Sequence, residues 1–154
     1  MTIEDDIAFL ERVPILSRLG APALRILAIG AEAIRLESGQ ILFTAGEAAD
    51  AAYVVQQGLI GLQPDRPGGT EVLARPGTLL GEAALLAETR RPATATARED
   101  SILLRISRAM FLRMLDGYPD AAQRLRELIA ARIDQWEREM TNIRAVLGSG
   151  AKPQ

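Results

Sequence analysis

The sequence predicts one mainly β domain, a small barrel or sandwich flanked by helices. The length of 154 residues suits a single domain that buries a core without disulfides. Between residues 33 and 106, short apolar segments alternate with glycine- and proline-containing turns, which is typical of a small all-β unit. Helical periodicity precedes and follows this region, so we expect helices on both sides of it.

Residues 1–32 are predicted to form a helical segment. Thr2 is a suitable N-cap, and acidic residues follow it in the first turn, where the helix dipole favours negative charge. A second helix is expected to begin near Pro22, because proline fits the first helical turn. Leu24, Leu27 and Ala28 then recur at helical spacing.

Residues 33–106 are predicted to form the β region. Alternation in "EVLA" and "TATA" indicates strands with one buried face, whereas "AYVV" and "ILL" indicate strands that are buried more evenly. The intervening "ESGQ", "AGEAAD", "PDRPGG" and "RPG" have the composition of turns. We expect seven apolar side chains of this region to be core, namely Ile41, Phe43, Tyr53, Val54, Val55, Leu103 and Ile106.

Residues 107–147 are predicted to form two helices. Ser107 is the expected cap of the first helix, which ends near "DGYP". The second begins near Pro119, and its length favours a homodimer, with packing on its own barrel as the alternative. Residues 148–154 are predicted to be disordered. The seam of the second helix consists of Ile129, Ile133, Trp136, Met140, Ile143 and Leu147.

Composition restricts the chemistry that is available to the chain. It has no cysteine and no histidine, which excludes disulfides, thiolate metal sites and thiol nucleophiles and removes the commonest general base. A net charge of −2 gives no general attraction to nucleic acid or to acidic membranes. The acidic N-terminus lacks the features of a secretory signal. We therefore expect a cytoplasmic sensor or binding module without catalytic residues, metal or membrane contact.

The candidate site lies in "GEAALLAETRRPATATA", residues 81–97. The piece "EAALLAE" is predicted to form about two turns of helix, with backbone N–H groups at its N-terminus that can bind an anion. Arg90 and Arg91 add guanidinium groups. Glu82 is either a partner of the helix dipole or an acceptor for sugar hydroxyls. The combination favours a ligand that carries both a negative charge and hydroxyls.

This stretch resembles the phosphate-binding cassette of cyclic nucleotide-binding domains. The resemblance extends over about residues 9–132 and includes, in order, "FLERVPILSRL", "SGQILFTAGEAADAAYVVQQGLI", "RPGTLLGE" and "SILLRISRAMFLRML". It implies an eight-stranded jelly-roll barrel, a cupin-like double-stranded β-helix, between N-terminal helices and a long C-terminal helix.

The resemblance also implies roles within the cassette, residues 81–94. Gly81 and Glu82 would contact the ribose, with Glu82 accepting a hydrogen bond from the 2′-hydroxyl. Ala83 and Ala84 would offer backbone N–H groups to the cyclic phosphate. Arg91 would pair with that phosphate and Arg90 would be its outer neighbour. The implied ligand-binding residues are Gly81, Glu82, Ala83, Ala84, Arg91, Pro92 and Ala93.

Pro92 departs from the family pattern. Relatives carry alanine, serine or threonine there, which donate a backbone N–H to the phosphate and in some cases a hydroxyl to a guanine base. Proline supplies neither. The lost donor corresponds to about 1.5–3 kcal/mol, or about 10- to 100-fold in affinity. We therefore expect cAMP to be preferred over cGMP as the ligand, with no resident cofactor.

These observations predict a cyclic-nucleotide-binding regulatory module that acts through an unidentified effector protein, since no DNA-binding helix-turn-helix follows the long helix. The alternative is a degenerate cyclic nucleotide-binding fold that binds no nucleotide and serves as a dimerising interaction module. An enzyme acting on nucleotides would have to use Glu47, Asp50 and Glu82, for which turn formation and ribose contact are simpler roles. Trp136 either covers the base as a lid or packs in the dimer seam.

Overall fold

A computed structural model of the chain describes residues 2–128, 130 and 131. Helix α1 spans Ile3–Leu10 and helix α2 spans Ala21–Gly30, with a 3₁₀ turn at Leu16–Arg18 between them. The predicted cap of α1 is confirmed, because the Thr2 hydroxyl accepts a hydrogen bond from the Asp5 N–H over 3.1 Å. The Asp5 carboxylate accepts in return from the Thr2 N–H, which completes a capping box.

The β region follows directly after α2. Helix α3, Arg108–Gly117, comes after it, and residues 119–128 are again helical. The ten strands of the described residues are β1 Glu32–Leu36, β2 Ile41–Phe43, β3 Ala48–Ala49, β4 Ala51–Gln57, β5 Ile60–Pro64, β6 Val72–Ala74, β7 Leu79–Leu80, β8 Thr89–Arg90, β9 Ala93–Ala97 and β10 Ser101–Ser107.

The strands form two four-stranded sheets and one short ribbon. The sheet orders are β1-β10-β4-β7 and β2-β9-β5-β6, and β3 pairs with β8. The prediction of a mainly β unit flanked by helices is confirmed. The expected closed barrel of eight strands is not found, because within residues 2–128 the two sheets are not joined by strand pairing. Arg91 and Pro92 separate β8 from β9, and Pro92 has no N–H to donate to a ladder.

Two groups of buried side chains make up the core. One lies between the helices and the sheet that contains β4 and β10, and the other lies between the two sheets. Val54 and Val55 point into different groups, which explains why β4 is apolar on both faces. Of the predicted core residues, Phe43, Val54, Val55, Leu103 and Ile106 are buried and Tyr53 is half-buried.

Ile41 was predicted to be core, but its side chain is 58% exposed. Strict alternation would place Ile41 on the same face as the buried Phe43. The pairing of β2 with β9 shifts register between these two residues, and this irregularity turns Ile41 towards solvent. The prediction was wrong because a bulge leaves no trace in the alternation of so short a strand.

The start of the C-terminal region agrees with the prediction. The Ser107 hydroxyl accepts a hydrogen bond from the Met110 N–H over 3.2 Å and caps α3, which ends at Gly117. None of the helices formed by the described residues has the length and apolar content that crossing a bilayer requires. The residues of the predicted seam, including Trp136, and the tail at 148–154 lie outside the described residues. The dimer and the lid therefore stay predictions, as do the domain limits.

Candidate anion-binding site

The backbone of Arg91 is fixed between β8 and β9. Its N–H donates to the Glu47 carbonyl over 2.9 Å, and its own carbonyl accepts from the Gly46 N–H over 2.8 Å. The neighbouring β3–β8 ribbon extends this pairing, with Ala48 opposite Arg90. These contacts determine where the Arg91 side chain starts, and they direct it into the protein, where it is only 6% exposed.

The guanidinium of Arg91 is held from behind by two aromatic rings and one carbonyl. Its Cζ lies 4.3 Å from the ring centroid of Phe43 and 5.5 Å from that of Tyr53. Its Nη2 donates to the Ala51 carbonyl over 2.8 Å. Cation–π attraction to the two rings stabilises the charge without supplying an acceptor for the remaining N–H groups.

Nη1 of Arg91 is buried and has no hydrogen-bond partner within residues 2–128, 130 and 131. An unpaired cationic donor in a protein interior is unfavourable and needs an explanation. Desolvation lowers the pKa of Arg91, while Tyr53, Asp50 and Glu47 act in the opposite direction and favour its charged form. The side chain is therefore a buried cation with an open donor, which is the chemistry that an anionic ligand requires.

Gly81 lies directly in front of that open donor. A Cβ placed on Gly81 would be 2.4 Å from Nη1 of Arg91, far inside van der Waals contact. Gly81 also has a φ of 76°, in the left-handed region that favours glycine. Both the backbone conformation and the available space thus require glycine at this position.

The helix that follows Gly81 within the cassette is shorter than predicted. Instead of two helical turns, a 3₁₀ helix spans Glu82–Leu85, and the Ala84 N–H donates to the Gly81 carbonyl over 3.0 Å. The helical propensity of the alanines is overridden, because Ala84 and Leu85 are buried and the chain must return to β8 within a few residues. To bind a phosphate as predicted, the Ala84 N–H would have to share or exchange this acceptor.

The remaining predicted site residues surround this pair. Glu82 and Ala83 are exposed at the start of the 3₁₀ helix. Pro92 is exposed and its carbonyl accepts from the Asp65 N–H over 3.3 Å, while Ala93 begins β9 opposite Pro64. The structure thus brings Gly81 and Arg91 into direct contact and places the other predicted residues on the two segments that lead to them.

Arg90 and the spare carboxylates have contacts of their own. The exposed Arg90 side chain donates to the Gly46 carbonyl over 2.9 Å, away from the buried guanidinium. The Glu47 carboxylate accepts from the Thr44 N–H over 3.1 Å, which is the turn-forming role expected of it. Asp50 pairs with Arg105 over 3.3 Å. Among the described residues, no three histidine, cysteine or acidic side chains are grouped as a metal site would require.

Comparison with known proteins identifies the family. Residues 33–118, more than half of the chain, match the family described as cyclic nucleotide-binding domain. The chain belongs to this family. The match covers the strands, the cassette and α3 of this cyclic nucleotide-binding domain, so it includes every predicted site residue except Trp136.

Individual relatives agree with this assignment. The chain is 35% identical over 105 residues to the cyclic AMP receptor protein of Thermus thermophilus, a match that covers 66% of this chain and 49% of that protein. It is 31% identical over 105 residues to lysophospholipase NTE1 of Chaetomium globosum, covering 66% of this chain and 7% of that protein. The chain therefore spans half or less of the length of these relatives.

A solved structure has the same fold. The N-terminal domain of a transcriptional regulator from Streptomyces coelicolor A3(2) superposes with a TM-score of 0.78 at 28% identity, covering 86% of this chain and 94% of that one. The family is a regulatory ligand-binding domain rather than a catalytic one. The low coverage of the lysophospholipase indicates that the similarity concerns such a domain within a much longer chain.

Several groups that contact Arg91 or the cassette were not predicted from the sequence to have a role in the site. Phe43 and Tyr53 were assigned to the core alone, although both rings contact the guanidinium of this cyclic nucleotide-binding domain. The carbonyl of Ala51 has no sequence pattern that could have revealed it. Arg108, which donates to the cassette at Ala84, was not singled out either. Finding these residues requires the pairing of distant strands, which a single sequence does not specify.

Proposed function

We propose that this domain binds a cyclic nucleotide, with cAMP preferred over cGMP, and that the bound nucleotide regulates a partner protein. The proposal depends chiefly on the buried Nη1 of Arg91, which lacks a partner within the described residues and faces Gly81. A cyclic phosphate carries a single negative charge and offers oxygens to such a donor. Family membership supports a nucleotide over other anions.

The two sides of the site suit the two polar parts of a cyclic nucleotide. Arg91 would pair with the cyclic phosphate, and the backbone at Ala83 and Ala84 would add donors to it. Gly81 and Glu82 would contact the ribose, with the exposed Glu82 carboxylate accepting from the 2′-hydroxyl. Ala93 would complete the contact surface. Pro92 supplies neither an N–H nor a hydroxyl, which supports a preference for adenine over guanine.

The conformational change that follows nucleotide binding would be transmitted through the helices that follow β10. A ligand shifts a conformational equilibrium only as far as its affinities for the two arrangements differ. We place the hinge at Asp116–Pro119, where α3 ends at Gly117 and a new helix begins. We further propose that the protein forms a homodimer through its C-terminal helix and that Trp136 covers the base as a lid. The regulated partner would be an unidentified effector protein, and the location would be the cytoplasm.

Isothermal titration calorimetry tests this function directly. We expect the wild-type protein to bind cAMP more tightly than cGMP or cyclic dinucleotides. Arg91→Ala should weaken cAMP binding by about 30-fold or more, because it removes the partner of a buried charge. Arg90→Ala is the matched control, because Arg90 is the neighbouring arginine and is exposed. This variant loses the same charge and should keep its affinity for cAMP. Tight binding that survives Arg91→Ala would refute the assignment of the pocket.

The second candidate is a degenerate fold that has lost its ligand and serves as a dimerising interaction module. Two observations favour it: Pro92 removes a donor, and the Ala84 N–H already has an acceptor in the Gly81 carbonyl. It differs from the first candidate in one measurable respect, because the wild-type protein would then bind no cyclic nucleotide at all.

A further inference from the structure

Arg108, the first residue of α3, contacts two segments beside the anion site, the 3₁₀ helix and residues 49–50. Its Nε donates to the Ala84 carbonyl over 2.7 Å, and its Nη2 donates to the Ala49 carbonyl. Its backbone N–H donates to the Asp50 carbonyl over 2.8 Å. A single half-buried residue outside the cassette thus binds both the 3₁₀ helix and the strand pair opposite it.

The carbonyls bound by Arg108 continue into the contacts of Arg91. Ala49 and Asp50 accept from Arg108, and the next carbonyl, that of Ala51, accepts from Nη2 of Arg91. Ala49 also pairs with Thr89 in β8, two residues before Arg91. Arg108 therefore fixes the 3₁₀ helix, which begins one residue after Gly81, against the strand that fixes Arg91.

We propose that Arg108 is a positioning residue of the anion site, holding the 3₁₀ helix and residues 49–51 at the separation that places Gly81 against Nη1 of Arg91. This inference rests on the proposed function. The planar guanidinium has donors that point in different directions, and Nε and Nη2 reach two carbonyls at once. A lysine retains the charge but not this fork, so it cannot hold both carbonyls in the same geometry.

Arg108→Lys tests the role while preserving the charge. We expect the dissociation constant for cAMP to rise about tenfold, the effect of losing roughly one hydrogen bond from a charged donor. Arg113→Lys is the matched control, because Arg113 is an exposed arginine of the same helix, and its affinity should stay within about twofold of the wild type. Arg108→Gln, which also retains one donor group, serves as a second variant should the lysine variant fail to fold.

A double-mutant cycle separates positioning from general stability. If Arg108 acts through Arg91, Arg108→Lys should weaken cAMP binding by less than about threefold in an Arg91→Lys background, because the group that it positions has already changed. A residue that only supports the fold would lower the melting temperature and weaken binding equally in both backgrounds. That equality would overturn the proposal.

Amide hydrogen exchange of the nucleotide-free protein tests the positioning role of Arg108 without relying on ligand binding. The N–H groups of Leu86 and Ala87 donate to the Ala83 carbonyl, so their exchange reports on the cassette. Faster exchange in Arg108→Lys, by about tenfold, with no change in Arg113→Lys, supports the positioning role. If the wild type binds no cyclic nucleotide but exchange accelerates, the proposed function fails and the positioning of the cassette by Arg108 stands. If the wild type binds cAMP but Arg108→Lys matches it in affinity and exchange, the positioning role alone fails.

Discussion

At the scale of single residues, the site depends on the contact between Gly81 and Arg91. Arg91 provides a buried charge. Gly81 leaves space for its guanidinium because it has no Cβ, which would lie 2.4 Å from Nη1. The sequence predicted both residues as parts of one ligand site, but not their direct contact with each other. It did not predict the aromatic surroundings of the guanidinium, because Phe43 and Tyr53 have the same alternation as ordinary core residues and reach Arg91 only through strand pairing.

Gly81→Ala should abolish most cyclic-nucleotide binding and destabilise the protein. We expect affinity to fall about 30-fold or more, because the methyl group displaces Nη1 from its position. We expect unfolding free energy to fall by about 1–2 kcal/mol from the positive φ alone. Calorimetry measures the first quantity and urea denaturation the second.

Gly77→Ala is the control for this substitution. Gly77 has a φ of 95°, and a Cβ there would meet no atom within 4 Å, so the variant has the backbone strain without the contact. Its stability should fall by a similar amount of about 1–2 kcal/mol while its affinity is retained. Equal loss of affinity in both variants would mean that the contact of Gly81 with Arg91 is not what binds the ligand.

At the scale of elements, the helical part of the cassette is a short 3₁₀ helix, Glu82–Leu85, and Pro92 lies between β8 and β9. The caps at Thr2 and Ser107 were predictable because each depends on residues three positions apart. The bulge beside Ile41 and the 3₁₀ geometry of Glu82–Leu85 were not, because both result from packing against distant strands. Local pattern thus gave the type and order of most elements, and tertiary contacts decided the rest.

Pro92→Ala should strengthen cyclic-nucleotide binding, because it restores a backbone N–H between Arg91 and Ala93. We expect a gain of about 10- to 100-fold in affinity for cAMP by calorimetry. Pro76→Ala, in the turn before β7, controls for the general loosening of the chain that removing a proline causes. Unchanged affinity in Pro92→Ala would show that this backbone position does not face the phosphate. Binding that appears only in the variant would favour the degenerate candidate.

At the scale of the whole molecule, the absence of histidine and cysteine has a direct effect on ligand binding. No side chain of the 154 residues has an ordinary pKa near neutrality. Desolvation lowers the pKa of Arg91, but the ordinary pKa of arginine is so high that the guanidinium keeps its charge in a folded protein. A bound anion acts in the opposite direction and raises that pKa again.

The affinity for cAMP should therefore be nearly independent of pH around neutrality. Calorimetry between about pH 6 and about pH 8.5 should give dissociation constants that agree within about twofold, because neither Arg91 nor a cyclic phosphodiester titrates there. The free energy of unfolding that cAMP adds should also be independent of pH in this range. At a ligand concentration of 100 times the dissociation constant it should be about 2.7 kcal/mol. A tenfold change in affinity across this range would mean that another, titrating group binds the anion.

The two aromatic rings behind Arg91 also bear on which phosphates the proposed site would accept. Two rings and one carbonyl surround the guanidinium on the protein side, so little water can follow a ligand into contact with it. The desolvation penalty of burying an ion grows steeply with its charge, and one guanidinium compensates one negative charge. Opening the cyclic ester to a nucleoside monophosphate creates a second charge, and Arg91 is the only buried charged side chain among the residues that the structure describes. A site that binds the cyclic nucleotide through Arg91 would therefore release its hydrolysis product, and the duration of the response would follow the lifetime of the intact ring.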